Sequence, residues 1–224
     1  MYKLFVFDLD GTLVDSLGII ARTFNSVLRR YGLPSIQKEH FNYFAGDGPA
    51  VLVRRAIEYL KSEGRIQPGE EEFVFQGVYP DYLETYDQLK DDLTKPYAGI
   101  EKVLCKLKEE NRMIAICTNK RKMAAENLVE SVFSAEFDYI SALEDGISRK
   151  PEPDMLNVVM EKLGVSKEEV LYFGDTNTDM KTGKNAAVDT VGVTWGFRER
   201  EELEAFQPQA IIDHPKEILN FLDK

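Results

Sequence analysis

Cysteine is nearly absent from this chain of 224 residues: only Cys105 and Cys117 occur, and neither sits in a CxxC pair or a Cys/His cluster. That excludes a disulfide scaffold and a zinc ribbon, which need several closely spaced thiols. Positive charge is also short, with 28 Lys and Arg against 39 Asp and Glu and a formal charge of -11. A general binder of nucleic acid or of an anionic membrane is disfavoured, because such proteins neutralise phosphates with clustered cations. No run approaches 18 apolar residues, so no transmembrane span is expected. The short apolar stretch from Tyr2 to Phe7 meets Asp8 and Asp10 and lacks the pattern of a secretory leader. Histidine is limited to His40 and His214, each read as a surface or capping residue, and no Gly-x-Ser-x-Gly elbow occurs. With only 15 Gly and 9 Pro there is no low-complexity signal. The expectation is a soluble protein of a reducing, cytoplasmic compartment, large enough for a core with a smaller insertion.

What is present is a set of short apolar runs ending in polar or glycine-rich turns: Leu4 to Phe7, Met113 to Cys117, Val170 to Phe173, Thr190 to Val193 and Ala210 to Ile212. Continuous apolarity at strand length suits strands buried on both faces. Between them lie helical stripes such as Ile100, Val103, Leu104, Leu107 and Leu156, Val159, Met160, Leu163. Strand alternating with helix predicts an α/β fold, a Rossmann-like parallel sheet flanked by helices. Gly164 reads as a helix stop, and Ser166 with Glu169 as a capping box. From about Ser16 to Lys95 the alternation breaks. Stripes at Ile20, Phe24, Val27, Tyr31 and at Leu52, Ala56, Tyr59, then acidic Glu70 to Glu72 after Pro68-Gly69, predict helices only. The expected division is therefore a core of residues 1–15 and 96–224 with a helical insertion at 16–95.

Chemistry concentrates at the ends of the predicted strands. Asp8-Leu9-Asp10-Gly11-Thr12 follows the first of them. At the carboxyl edge of a parallel sheet such residues face the crevice where ligands bind. Residues two apart on extended chain point the same way, so Asp8 and Asp10 can share one target. Crowded carboxylates repel, and a hard divalent cation relieves them. Alone, the run also reads as a strand ending in an Asx turn. A second acidic constellation, Gly174-Asp175-Thr176-Asn177-Thr178-Asp179, follows Val170 to Phe173. By itself it reads equally as a helix cap and a solvated helix face. Thr118-Asn119 after Met113 to Cys117 offers a hydroxyl and N–H groups at the expected start of a helix, a phosphate site or a plain cap. Lys150, in Arg149-Lys150-Pro151-Glu152-Pro153, is a surface lysine or the cation that neutralises a transferring phosphoryl group.

Taken in order, Asp8-Leu9-Asp10-Gly11-Thr12, Thr118, Lys150-Pro151 and Gly174-Asp175 to Asp179 resemble the four motifs of the haloacid dehalogenase superfamily. The likeness spans nearly the whole chain, and the inserted helices resemble that superfamily's C1-type cap. Gly46-Asp47-Gly48, Lys150-Pro151-Glu152-Pro153-Asp154 and Val193-Thr194-Trp195-Gly196-Phe197-Arg198 resemble its phosphoglycolate phosphatase branch. The resemblance implies Asp8 as nucleophile and Asp10 as acid and base. It implies Mg²⁺ held by Asp8, the Asp10 carbonyl and Asp175, with Asp179 behind them. Thr118, the Asn119 amide and Lys150 would hold phosphate, and Leu13 to Ser16 with the region around Pro96 would hinge the cap. Departures are Gly18 and Ile19 where the branch commonly has Pro and Asp, Asp47 for Asn, Arg121 for Pro and Ala187 for Gly.

The implied activity is Mg²⁺-dependent hydrolysis of a small phosphomonoester through a phosphoaspartyl intermediate, with 2-phosphoglycolate as leading substrate. A nucleoside monophosphate, a sugar phosphate or pyrophosphate is the alternative. A dehalogenase would not need Asp10, and a β-phosphoglucomutase-like transferase resembles this core but carries a cap histidine where Ile20 stands. The implied partner is a small phosphorylated metabolite, with no nucleic acid or membrane, and the chain is expected as a monomer or weak dimer. Arg54 and Arg55 read as a helix face or as partners of a substrate carboxylate, Trp195 as rim or packing, and Cys117 as a small core hydrophobe.

Overall fold

The computed structural model describes residues 1–88, 91–144 and 146–223; residue 224, the end of the expected core span, lies outside them. In chain order the elements are β1 (Leu4–Phe7), β2 (Val14–Asp15), α1 (Leu17–Arg30), α2 (Phe41–Phe44), α3 (Pro49–Ser62), α4 (Glu71–Gln88) and β3 (Lys95–Pro96). They continue as α5 (Ile100–Glu109), β4 (Met113–Arg121), α6 (Lys122–Val132), β5 (Tyr139–Leu143), α7 (Asp154–Leu163) and β6 (Val170–Gly174). The last are α8 (Asn177–Ala186), β7 (Asp189–Val193), α9 (Arg200–Glu204) and β8 (Ala210–Ile212). The chain separates into two compact units, Met1–Asp15 with Lys95–Lys224, and Ser16–Thr94.

The first unit is built on a parallel sheet of order β5-β4-β1-β6-β7-β8. Its central strands are buried on both faces, and side-chain alternation divides them. Phe5, Phe7, Ile114, Ile116, Leu171 and Phe173 join one apolar cluster with α5 and α6. Leu4, Val6, Ala115, Cys117, Val170 and Tyr172 join another with α7. The chain leaves β1 toward β4 and β5, then returns to β6 on the other side, so the strand order reverses at β1. Ligands of open α/β sheets bind at such a switch. β5 was not expected from the sequence; it is one of the two edge strands, only partly buried, and its run Tyr-Ile-Ser-Ala-Leu carries too little apolar signal.

Two local expectations need correction. β4 continues through Arg121, so Thr118 and Asn119 lie in a strand and not at a helix start; α6 begins at Lys122. The ladder between β4 and β5 shifts register between Thr118 and Arg121, which keeps an extended backbone where a turn was expected. The Ser166 to Glu169 capping box forms, but it opens only a short 3-10 turn before β6. Gly164 ends α7 in the left-handed conformation, φ 65°.

In the second unit α1, α3 and α4 bury Ile20, Phe24, Val27, Leu52, Ala56, Val78 and Tyr82. Tyr31 caps α1 and is largely exposed instead of continuing its stripe. Among the described residues no helix is long and apolar enough to cross a membrane.

Candidate active site

Strand register alone brings three chain segments to one level. Phe7 aligns with Ile116 of β4 and with Phe173 of β6, so Asp8 leaves β1 level with Cys117 of β4 and with Gly174, the last residue of β6. The Asp8 N–H donates to the Phe173 carbonyl at 2.9 Å, and Asp175 follows Gly174 one residue beyond β6. Asp8, Asp175, Asp179 and Lys150 are all buried, at no more than 3% exposure. That rules out the solvated alternatives for Asp179 and Lys150.

Hydrogen bonds fix each group. The Lys150 ammonium lies 2.9 Å from Asp8 Oδ1 and 2.7 Å from Asp179 Oδ1, and donates to the Cys117 carbonyl at 3.0 Å. Tyr172, on β6, donates its hydroxyl to the same Asp179 oxygen at 2.7 Å. The other Asp179 oxygen accepts the Thr176 N–H at 3.1 Å and hydroxyl at 2.7 Å, closing a capping box at the start of α8. Thr176 is therefore the cap. Asp175 accepts the Thr12 hydroxyl at 2.9 Å on one oxygen and the Phe197 N–H at 2.8 Å on the other.

Two glycines clear the space around Asp175. Gly11 has φ +91°, and a Cβ there would fall 2.2 Å from Asp175 Oδ2. A Cβ on Gly196 would fall 2.3 Å from the Asp175 Cβ and 2.4 Å from the Gly11 carbonyl. Trp195, next to Gly196, donates its indole N–H to the Thr12 carbonyl at 2.9 Å, which ties this loop to the segment after β1.

Burial pushes the Asp8 carboxyl up to about 7; Lys150 opposes the shift, while Asp179 and Asp10 add to it. Burial, and then the charges of Asp179 and Asp8, hold Asp175 well above the usual carboxylate range. Burial would raise Asp179 too, but the Lys150 charge and the donors Tyr172 and Thr176 outweigh it and leave Asp179 lowered. For Lys150 burial disfavours the cation, and Asp179 and Asp8 more than offset this, so it is raised.

Oxygen atoms of Asp8, Asp175 and Asp179 all lie within 4.8 Å of one another. With Asp10 there are four carboxylates, against the two ammonium groups of Lys150 and Lys120 that pair with them. One divalent ion would balance the remainder, and a buried all-oxygen donor set suits a hard cation. Asp179 already accepts from the Lys150 ammonium, the Tyr172 hydroxyl and both donors of Thr176, whereas Asp175 accepts from two neutral groups and Asp8 shares the Lys150 ammonium, so Asp8 and Asp175 are the better placed to ligate.

Asp10 is half-buried, and both its oxygens lie 3.0 Å from the Lys120 ammonium. Thr118 is buried and its hydroxyl accepts the Lys120 N–H at 3.2 Å. The Asn119 side chain clamps the Lys150 backbone, donating to its carbonyl at 3.2 Å and accepting its N–H at 2.9 Å. Sequence reasoning missed Lys120, Tyr172 and the Thr12 hydroxyl. Tyr172 had a signal, because a tyrosine inside a doubly buried strand needs a partner for its hydroxyl.

The remaining candidates fall outside this cluster. Arg54 pairs with Glu72 at 3.1 Å and stacks 3.8 Å over Phe75, and Arg55 pairs with Asp47 at 2.6 Å, all within the helical unit. His214 caps the turn Pro215–Phe221. Cys117 is buried, and burial pushes its thiol up to about 12.

A parallel sheet with clustered carboxylates and a buried lysine at its switch point is the arrangement of an α/β enzyme. The chain belongs to the haloacid dehalogenase-like hydrolase family, whose model matches residues 5–193. It is similar to phosphoglycolate phosphatase 1 of Pseudomonas aeruginosa, 31% identical over 99% of this chain and 80% of that protein. It is also 26% identical to the N-acetylmuramic acid 6-phosphate phosphatase of the same organism, over 99% of this chain and 95% of the relative. A crystal structure from Lactobacillus delbrueckii subsp. bulgaricus superposes with a TM-score of 0.86 at 28% identity, covering 99% of this chain and 98% of that one. By class the chain is a phosphoric monoester hydrolase.

Proposed function

We propose that this hydrolase cleaves a small phosphomonoester by way of a phosphoaspartyl intermediate on Asp8, with 2-phosphoglycolate as leading substrate. The observation that carries the reading is the Lys150 ammonium, 2.9 Å from Asp8 and 2.7 Å from Asp179, inside a cluster of three buried carboxylates. Such a lysine lets an anionic nucleophile accept an anionic phosphoryl group. An Asp8 oxygen attacks phosphorus while the bond to the leaving alkoxide breaks, and the Asp10 carboxyl gives that oxygen its proton. In the second step Asp10 takes a proton from water, the water oxygen bonds to phosphorus, and the bond to Asp8 breaks. Thr118, the Asn119 N–H and Lys150 bind the phosphate oxygens. Asp8, the Asp10 carbonyl and Asp175 would hold Mg²⁺, and Asp179 would orient Lys150 beside it. The ion supplies positive charge that neutralises the phosphoryl oxygens and fixes their direction.

Residues 16–95 act in this reading as a cap that chooses the substrate over a core of 1–15 and 96–224, in a cytoplasmic monomer or weak dimer. A sugar phosphate is the second reading, favoured by the relative that acts on N-acetylmuramic acid 6-phosphate. Phosphate release is to be measured from 2-phosphoglycolate, sugar phosphates, nucleoside monophosphates and pyrophosphate, with Mg²⁺ and with EDTA. Turnover of at least one monoester, lost with EDTA and in Asp8→Asn, is expected. Full activity after exhaustive chelation, or an active Asp8→Asn enzyme, overturns the scheme.

A further inference from the structure

Lys120 has no part in the reaction scheme above, yet it is tied to the group that moves protons in it. Its ammonium lies 3.0 Å from both oxygens of Asp10, and its side chain is only 7% exposed. An exposed lysine spends rotamer freedom to hold an ion pair and gains little. A mostly buried one, meeting both oxygens of one carboxylate, holds that carboxylate in place.

The backbone explains how it gets there. In the β4 to β5 ladder Thr118 pairs with Ala142 and Arg121 with Leu143, so Asn119 and Lys120 have no counterparts on β5. A bulge of this kind re-aims side chains beside a site. Here Asn119 turns to clamp the backbone of Lys150, and Lys120 turns to Asp10. One irregularity thus serves two lysines, one on the nucleophile and one on the proton carrier.

We infer that Lys120 is a positioning residue for Asp10, holding its carboxyl group in the orientation from which it protonates the leaving oxygen. The inference rests on the phosphatase reading. Lys120 itself keeps its protons throughout: Asp10 gives one to the leaving oxygen in the first step and regains one from water in the second. Misplacing a proton carrier by about 1 Å costs on the order of 100-fold, within the contribution such a group makes. The cost falls on esters whose leaving group needs the proton, and spares those that depart as stable anions.

The test uses ring-substituted phenyl phosphates from phenyl phosphate to p-nitrophenyl phosphate, which share charge and nearly share shape. For Lys120→Met, kcat/KM should fall about 10- to 100-fold on phenyl phosphate and less than about threefold on p-nitrophenyl phosphate. The dependence on leaving-group acidity therefore steepens. Lys120→Arg, which keeps the charge, should lose less than Lys120→Met on phenyl phosphate and keep a shallower dependence on leaving-group acidity. In Asp10→Asn the dependence should already be steep, and adding Lys120→Met should steepen it no further. Should Lys120→Met not fold, the Lys120→Gln enzyme gives the same comparison. A parallel loss on every ester, as from a structural or phosphate-binding role, or no loss at all, overturns the inference. If instead the parent enzyme releases no phosphate, or Asp8→Asn is active, the phosphatase reading fails and takes this inference with it.

Discussion

Stripped of divalent ions, this protein should lose stability as pH rises from 5 to 8. The Asp8 carboxyl is pushed from 3.8 to about 7 by burial and by Asp179 and Asp10, against Lys150. A raised carboxyl binds its proton more tightly in the folded chain than in the unfolded one. Folding then becomes less favourable as pH climbs through the interval between the two values, and the penalty is complete above about 7. Three pH units correspond to about 4 kcal/mol, of which roughly 3 falls between pH 5 and pH 8. Asp175, also raised, acts in the same direction. Asp179, lowered, contributes stability that is lost only at acid pH, so it leaves this window flat. A bound divalent ion needs the carboxylates ionised, so Mg²⁺ should stabilise strongly at pH 8 and little at pH 5. At 100 times its dissociation constant it adds about 2.7 kcal/mol. Urea unfolding can be followed by the fluorescence of Trp195, the single tryptophan, with EDTA and with Mg²⁺ at both pH values. Asp8→Asn should make the EDTA curve shallower, leaving the share that Asp175 contributes. Metal-free stability that is level or rises from pH 5 to 8, or an equal gain from Mg²⁺ at both, would refute the reasoning.

Two further substitutions probe the fold. Lys150→Met leaves Asp8 and Asp179 buried without their cation and should cost about 3–5 kcal/mol in urea unfolding at pH 7.5, where a loss below about 1 would deny the pair its structural weight. Ala187 ends α8 at φ 56°, in the left-handed region where its branch commonly has glycine. Ala187→Gly should therefore gain about 1 kcal/mol and raise the melting midpoint by about 2–4 °C, and a lowered midpoint would contradict the strain argument.

The site's first layer was legible along the chain because each member is marked locally. Asp8, Asp175 and Thr118 each follow an apolar run of strand length, and a buried strand end in a parallel sheet faces the crevice. Gly11 announced a tight turn, and its positive φ beneath Asp175 is the reason no other residue fits. β5 was not legible, because an edge strand half open to solvent need not be apolar. Nor was the length of β4, since Lys120-Arg121-Lys122 reads as polar turn while its backbone stays extended.

By itself the sequence determined the alternation of strand and helix, the run of helices between the apolar strands β1 and β4, and the carboxylates at the strand ends. Those follow from periodicity and from turn chemistry, which act over a few residues. Only the tertiary structure decided that Tyr172 and Lys150 share Asp179, that Asn119 serves Lys150, and that Lys120 holds Asp10 from 110 residues away. A charged side chain taken out of water binds the nearest counterpart that packing leaves within reach. Strand register and burial, which no short stretch of chain specifies, choose that counterpart.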